Sequence, residues 1–123
     1  MYNFFMLPRE YRLKNRAAFS ATYKIKNSHY CRGIVLYVGK EKSDYETPTK
    51  VGFVVSKKTH KRAVKRNRLK RLMRETYRLQ LKNKELGNSQ KYMSLIFVGY
   101  ERALVQNFDE IRNSIKTLIE ELK

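Results

Sequence analysis

Hydrophobic and polar positions follow two periods along this chain, and the change from one to the other marks out its elements. Residues 15 to 26, "NRAAFSATYKIK", bring Ala18, Phe19, Thr22 and Tyr23 round at helical spacing, and "KNSHYCRG" then breaks the pattern. A short first helix is expected there. "RGIVLYVGK" (32 to 40) and "KVGFVVSKK" (50 to 58) are β-branched and aromatic runs on either side of "EKSDYETPT", which has the charge and proline of a surface loop. They predict two strands, most simply an antiparallel pair, with room for another short strand inside 28 to 47.

From Ala63 to about Lys82 the period becomes helical again. Leu69, Leu72, Met73, Thr76 and Leu79 share one face if each residue advances about 100°. Arg66, Lys70, Arg74 and Arg78 recur every fourth residue and drift only about 40° per step, which predicts a cationic face opposite. Arg62 and Lys65 fall towards the core side of this wheel, so the first turn is expected to overhang the sheet. Gly87 and Asn88 are the stop signals. "KYMSLIFVGY" (91 to 100) predicts another strand. "NFDEIRNSIKTLIEELK" (107 to 123) predicts a last helix with Ile111, Ile115, Leu118, Ile119 and Leu122 inward and Asn107 or Asp109 as cap. The order is helix, strand, strand, helix, strand, helix. It indicates an α+β fold, a small two-layer sandwich of helices on a mixed or antiparallel sheet, with residues 1–123 as a single domain.

Charge changes the picture more than size does. The chain has 123 residues, 41% of them hydrophobic, and a net charge of +17. Residues 101 to 123 hold four basic and five acidic groups, so residues 1 to 100 carry 24 basic against 6 acidic, or +18. "KRAVKRNRLKRLMRE" (61 to 75) places eight Lys or Arg in its first fourteen positions. Repulsion on this scale calls for a polyanionic partner, and the apolar stripe through the same segment argues for a docked helix over disorder. No apolar run approaches the roughly 18 to 20 residues needed to span a membrane. "MYNFFML" lacks a basic lead-in and is stopped by Pro8, Arg9 and Glu10, so it is not expected to be a signal peptide. The expected location is cytoplasmic, and the lone Cys31 agrees, since a disulfide framework needs pairs.

Side chains suited to catalysis are sparse. His29 and His60 are 31 positions apart with no metal-ligand spacing around them, and the five glycines are scattered. Glu41, Asp44 and Glu46 have the composition of a solvated turn. Lysine and arginine supply phosphate attraction, with forked donors on arginine, while Phe19, Tyr23 and Tyr37 are candidate stacking surfaces for unpaired bases. Nucleic-acid binding is the reading these residues support. A duplex-DNA regulator fits less well, because two strands, and no short helix at helix-turn-helix spacing, precede the basic helix. A ribosomal or general RNA-binding protein and a freestanding nuclease are the remaining alternatives.

"VSKKTHKRAVKRNRLKRLMRETYR" (55 to 78) resembles the signature of the bacterial ribonuclease P protein family: Ser-Lys-Lys ending a strand, then Ala, Arg-Asn-Arg, Lys-Arg and Arg-Glu. Here these are Ser56, Lys57, Lys58, Ala63, Arg66, Asn67, Arg68, Lys70, Arg71, Arg74 and Glu75. "LPREYRLKNRAAFSATY" and "RGIVLYV" are similar to the family's preceding segments; "THKR" at 59 to 62 stands where many members have a glycine. The resemblance implies a left-handed strand-helix-strand crossover, against the usual rule. It also implies an accessory to a catalytic RNA that hydrolytically removes the 5′ leader of precursor tRNA. Mg²⁺ is then held mainly by RNA, with no protein-bound cofactor, no catalytic protein residue and no protein metal ligand assigned. By the same analogy Arg62, Arg66, Asn67, Arg68, Lys70, Arg71 and Arg74 contact the catalytic RNA, while Phe19, Tyr23, Tyr37, Lys57 and Lys58 hold the leader. The implied partners are the ribonuclease P RNA and precursor tRNA, with a monomeric protein, one copy per RNA, and no membrane.

Overall fold

The structure, a computed structural model, describes residues 7–123, so the "MYNFFML" reading lies outside the described residues except at Leu7. A four-stranded sheet in the order β1-β2-β4-β3 is built from β1 (Asn27–Cys31), β2 (Ile34–Val38), β3 (Lys50–Val54) and β4 (Ser94–Gly99). Helices α1 (Arg16–Lys24), α2 (Ala63–Lys82), the short α3 (Glu101–Leu104) and α4 (Phe108–Glu120) surround it. Two 3-10 turns, Arg9–Tyr11 and Gly87–Lys91, were not expected from the sequence.

The sheet is mixed, as expected, but the simplest pairing is corrected. β2 and β3 do not pair with each other: β4 lies between them, antiparallel to β2 and parallel to β3. A parallel pair needs a long crossover, and α2 supplies it between β3 and β4. The additional strand is β1, joined to β2 by the two-residue turn Arg32-Gly33 with φ of 44° and 90°. Two consecutive positive φ values match the right-handed twist of a hairpin. Gly33 is doubly constrained, since a Cβ there would come within 2.7 Å of the Ala103 backbone nitrogen.

Alternation along the strands separates two apolar clusters. Ile34, Leu36, Val38, Leu95 and Phe97 face α2 and α4, meeting Leu69, Met73, Tyr77, Ile111, Ile115 and Leu118 in the main core. Ile96 and Val98 face the other way, where Leu13, Ala18 and Phe19 cover part of the sheet. The expected layer of helices on a sheet is therefore α2 with α4, and α1 adds a partial layer on the opposite face. That face remains open beyond α1.

Helix ends follow local chemistry. The Asn15 side chain accepts from the Ala18 amide to start α1, and Asn107 with Glu110 forms a reciprocal capping box that starts α4. Asn107, not Asp109, is the cap. Helix α2 stops well before Gly87. The Glu85 amide donates to Gln80 O and the Lys84 amide to Leu81 O, a Schellman pattern with Lys84 at φ 57° in the left-handed position.

Candidate nucleic-acid interface

Helix α2 sorts its cations by position around and along its axis. Its buried stripe is Leu69, Met73, Thr76, Tyr77 and Gln80. Leu72 and Leu79, expected inward, are half-buried at the flank. At about 100° per residue Arg66 lies only about 60° from Leu69, so the row Arg66, Lys70, Arg74, Arg78 is a half-buried flank and not the outward face the spacing predicted. Residues 61 to 65 are exposed, which is the overhanging first turn. Asn67 and Arg71 point outward.

Several of these cations have work within the protein. Arg66 Nη1 donates to the carbonyls of His60 and Lys61, each at 2.8 Å, and so folds back over the 55–62 turn. Arg68 donates to Leu104 O at 3.4 Å and Gln106 O at 3.3 Å, reaching the α3–α4 link. Arg78 grips Glu75 at 2.7 and 3.1 Å. The cations left facing solvent around the turn are Lys57, Lys58, Lys61, Arg62, Lys65 and Arg71. Arg74 is different again: burial first, then Arg12 and Arg71, push its pKa down, with Glu75 opposing.

On the open sheet face the tyrosines gather. Tyr23 from α1 meets Tyr37 from β2 edge to face, ring centroids 4.9 Å apart. Tyr30 pairs across the hairpin with Val35, and the two-residue alternation puts both on the Tyr37 side. Tyr100 follows Ile96 and Val98 on that side of β4. Burial, then the charge and hydrogen bonding of Tyr37, push the Tyr100 phenol up. Burial, then Tyr37 and Tyr100, do the same for Tyr23. The Tyr23 and Tyr100 phenols therefore stay neutral and able to donate throughout the physiological range. Exposures of 37% for Tyr23, 42% for Tyr100 and 60% for Tyr30 leave ring surface for a ligand.

The sequence-predicted residues thus divide. Tyr23 and Tyr37 come together, and Lys58 reaches the same surface through a cleft of about 550 Å³ shared with Tyr30, Tyr100 and Arg102. Lys57 is exposed on the same turn. Phe19 packs in the second apolar cluster beside Tyr37, but it lines a different cleft, with Arg12, Lys14, Lys70 and Arg74. Tyr30, Tyr100 and Arg102 were not singled out from the sequence. Tyr100 was legible in principle as the next member of the Ile96, Val98 alternation; Tyr30 required β1 to be recognised first.

Other candidate groups resolve into structure. Asp44 accepts from the Glu46 amide at 2.9 Å and the Thr47 hydroxyl at 3.3 Å, closing the loop before β3. His29 contacts Asn27 and Glu121, and His60 Nδ1 accepts from the Arg62 amide. Cys31 lies half-buried against the main core. Among the described residues no group of three or more His, Cys, Asp or Glu converges as a metal site, and no helix is long and apolar enough to cross a membrane.

Fold and surface define a small α+β protein with a basic helix on one face of the sheet and a group of tyrosines on the other. A family model described as Ribonuclease P matches residues 7–123, and the chain belongs to that family. It is 36% identical over 109 residues to the ribonuclease P protein component of Clostridium kluyveri, covering 89% of this chain and 91% of that one. The Clostridioides difficile protein component is also 36% identical, over 107 residues and 87% of each chain. The RNase P protein of Staphylococcus aureus has a similar structure, with TM-score 0.70, 27% identity, and 89% and 93% of the two chains covered. That of Thermotoga maritima, at 23% identity and TM-score 0.73 over 91% and 97%, shares the fold.

Proposed function

We propose that this chain is the RNA-binding subunit of a ribonuclease P holoenzyme that removes the 5′ leader from precursor tRNA. The observation that carries this reading is one of placement. The solvent-facing cations of the 55–62 turn and α2 adjoin the tyrosine surface through Lys58, so one RNA strand can pass from phosphate contacts to stacking contacts without leaving the protein. Arg62, Asn67 and Arg71 are the outward groups for the catalytic RNA, with Arg66 and Arg68 shaping the surface that presents them. Lys70 and Arg74 contribute from the flank. Tyr23, Tyr37, Tyr30 and Tyr100 hold the leader bases, with Phe19 at the edge of their surface and Lys57 and Lys58 holding the leader phosphates. Mg²⁺ held mainly by the RNA and substrate supplies the activated water. The protein binds and orients, as a monomer with one copy per RNA, in the cytoplasm.

Reconstitution tests it. Pure protein added to a bacterial ribonuclease P RNA at low Mg²⁺ restores cleavage of leader-bearing precursor tRNA, and no rescue sinks the proposal. Cleavage by the RNA-free protein would instead make it a nuclease in its own right. Affinity should also fall steeply with salt: about 6 to 10 phosphate contacts on a duplex-like partner lose roughly 10³ to 10⁵ between 50 and 200 mM.

A further inference from the structure

The sheet has two outer edges, β1 and β3, and among the described residues only one of them is covered. Along β3 the segment entering α1 adds as a short parallel strand: Arg12 bridges Val51, and the Leu13 amide donates to Val51 O at 3.0 Å. Along β1 nothing comparable occurs. The turn at Arg32-Gly33 makes Cys31 and Ile34 the closing hydrogen-bonded pair, so by alternation His29 with Leu36 and Asn27 with Val38 also exchange bonds. Ser28 and Tyr30 therefore turn their N–H and C=O groups away from β2. Among the described residues no hydrogen bond reaches these groups from elsewhere, and both residues are exposed. Helix α4 packs beneath β1, where His29 Nδ1 meets Glu121 at 3.2 Å, and leaves the edge open.

A row of unpaired strand groups is a template for another strand, and the flanking charge selects which strand fits. Lys26 and Arg32 bracket the edge, both exposed, and residues 24 to 33 contain no carboxylate. A second copy of this chain fits badly. Two β1 edges paired antiparallel satisfy every free group only with Ser28 opposite Tyr30 of the other copy, and that register brings Lys26 against Arg32 at both ends. Like charges facing each other across a strand pair are destabilising, and each copy already carries +17. A strand with carboxylates at those two places turns both repulsions into attractions.

We propose that the β1 edge accepts an extended acidic segment of another protein as an added antiparallel strand, hydrogen-bonded to the backbone of Ser28 and Tyr30, with its carboxylates against Lys26 and Arg32. Main-chain bonds give such a contact its affinity and the flanking charges its choice of partner. The inference goes beyond RNA binding and does not depend on it. It uses the backbone of Tyr30 and leaves the ring to the tyrosine surface. With two residues supplying the bonds, the contact is a weak and transient one.

The test is an NMR titration of the whole protein with the blocked peptide Glu-Thr-Val-Thr-Val-Thr-Glu, whose valines fall opposite Ser28 and Tyr30 in the antiparallel register. It should shift the Ser28 and Tyr30 amides and slow their hydrogen exchange. The same peptide N-methylated at both valines keeps its charge but loses the pairing N–H groups, and should bind at least about tenfold more weakly. Equal binding of the two would reduce the effect to attraction between an acidic peptide and a basic protein, and would overturn the proposal. So would shifts confined to α2. Ser28→Pro removes an edge donor and should weaken the unmethylated peptide by a similar factor. Lys26→Glu serves where the proline variant fails to fold: it should weaken the acidic peptide and favour one ending in lysine, which antiparallel pairing puts opposite position 26. If neither peptide responds to Lys26→Glu, the edge is not the site. A protein that fails to stimulate cleavage loses the holoenzyme reading, while this titration still decides the edge.

Discussion

The rings of Tyr23 and Tyr37 meet at 4.9 Å with their planes at 81°, one carried by α1 and the other by β2. An edge-to-face pair fixes both rings while leaving part of a ring face uncovered, and a fixed aromatic platform loses little entropy when a base stacks on it. Replacing either tyrosine by alanine should weaken binding of leader-bearing precursor tRNA by about 1 to 3 kcal/mol and barely affect mature tRNA. Fluorescence titration of both tRNAs with the holoenzyme measures this. Equal losses for the two would refute the assignment.

Arg68 and Arg71 are three residues apart in one basic run and are expected to behave differently. Arg68 ties α2 to the carbonyls of Leu104 and Gln106, whereas Arg71 points outward. Arg68→Ala should lower stability by about 0.5 to 1.5 kcal/mol in urea unfolding, the range for an ordinary hydrogen bond. Arg71→Ala should leave unfolding unchanged and weaken catalytic-RNA binding with a shallower salt dependence.

Lys84 occupies the left-handed position that ends α2, at φ 57°. A side chain there costs roughly 1 to 2 kcal/mol, part of which glycine gives back through greater freedom in the unfolded chain. Lys84→Gly should therefore raise the thermal midpoint slightly, by about 0.5 to 1 kcal/mol in stability. Differential scanning calorimetry checks this, and a lower midpoint would contradict it.

Tyr77 is fully buried, and its phenol is pushed far above the ordinary 10.0 by desolvation, partly offset by its hydrogen bond from Gln90. The folded state therefore keeps this proton at pH values where the unfolded state has lost it. Stability from this group is complete below the unfolded value and declines as pH rises beyond it. Unfolding free energy should fall above about pH 10, and Tyr77→Phe should flatten that decline while costing stability at neutral pH. An unchanged alkaline slope in the variant would show that another group is responsible.

Periodicity revealed the elements because each buries one face. Leu69 and Met73 in α2, Ile115 and Leu118 in α4, and the alternating Ile34, Leu36 and Val38 all carry that signal into the core. Strand order was not legible: nothing in β2 or β3 taken singly says that β4 will come between them, since that depends on which edges remain open after α2 crosses. The end of α2 near Lys82 was legible from the period, but the residue that stops it was not. A lysine in a left-handed cap has no sequence signature, whereas Gly87 and Asn88 further on do. Within the candidate interface, the motif singled out α2 but treated its cations alike. Only the three-dimensional partners separate Arg66 and Arg68, which hold backbone carbonyls, from Arg71, which faces water. Arg12 and Lys14 carry no such signal, because a cleft between distant segments leaves no spacing in the sequence.

The position of β4 between β2 and β3 governs when the surface proposed to face RNA can exist. Nearly every residue placed in it, from Phe19 through Tyr37 to Arg74, precedes β4 in the chain, yet β2 and β3 reach each other only through β4. A nascent chain that has emerged only as far as α2 therefore carries the basic helix with no finished sheet beneath it, and closing these non-local pairings is the slow part of assembly. During that interval the cations are displayed on a flexible segment, so a polyanion that captures them early would meet an unfolded partner and fold along with it.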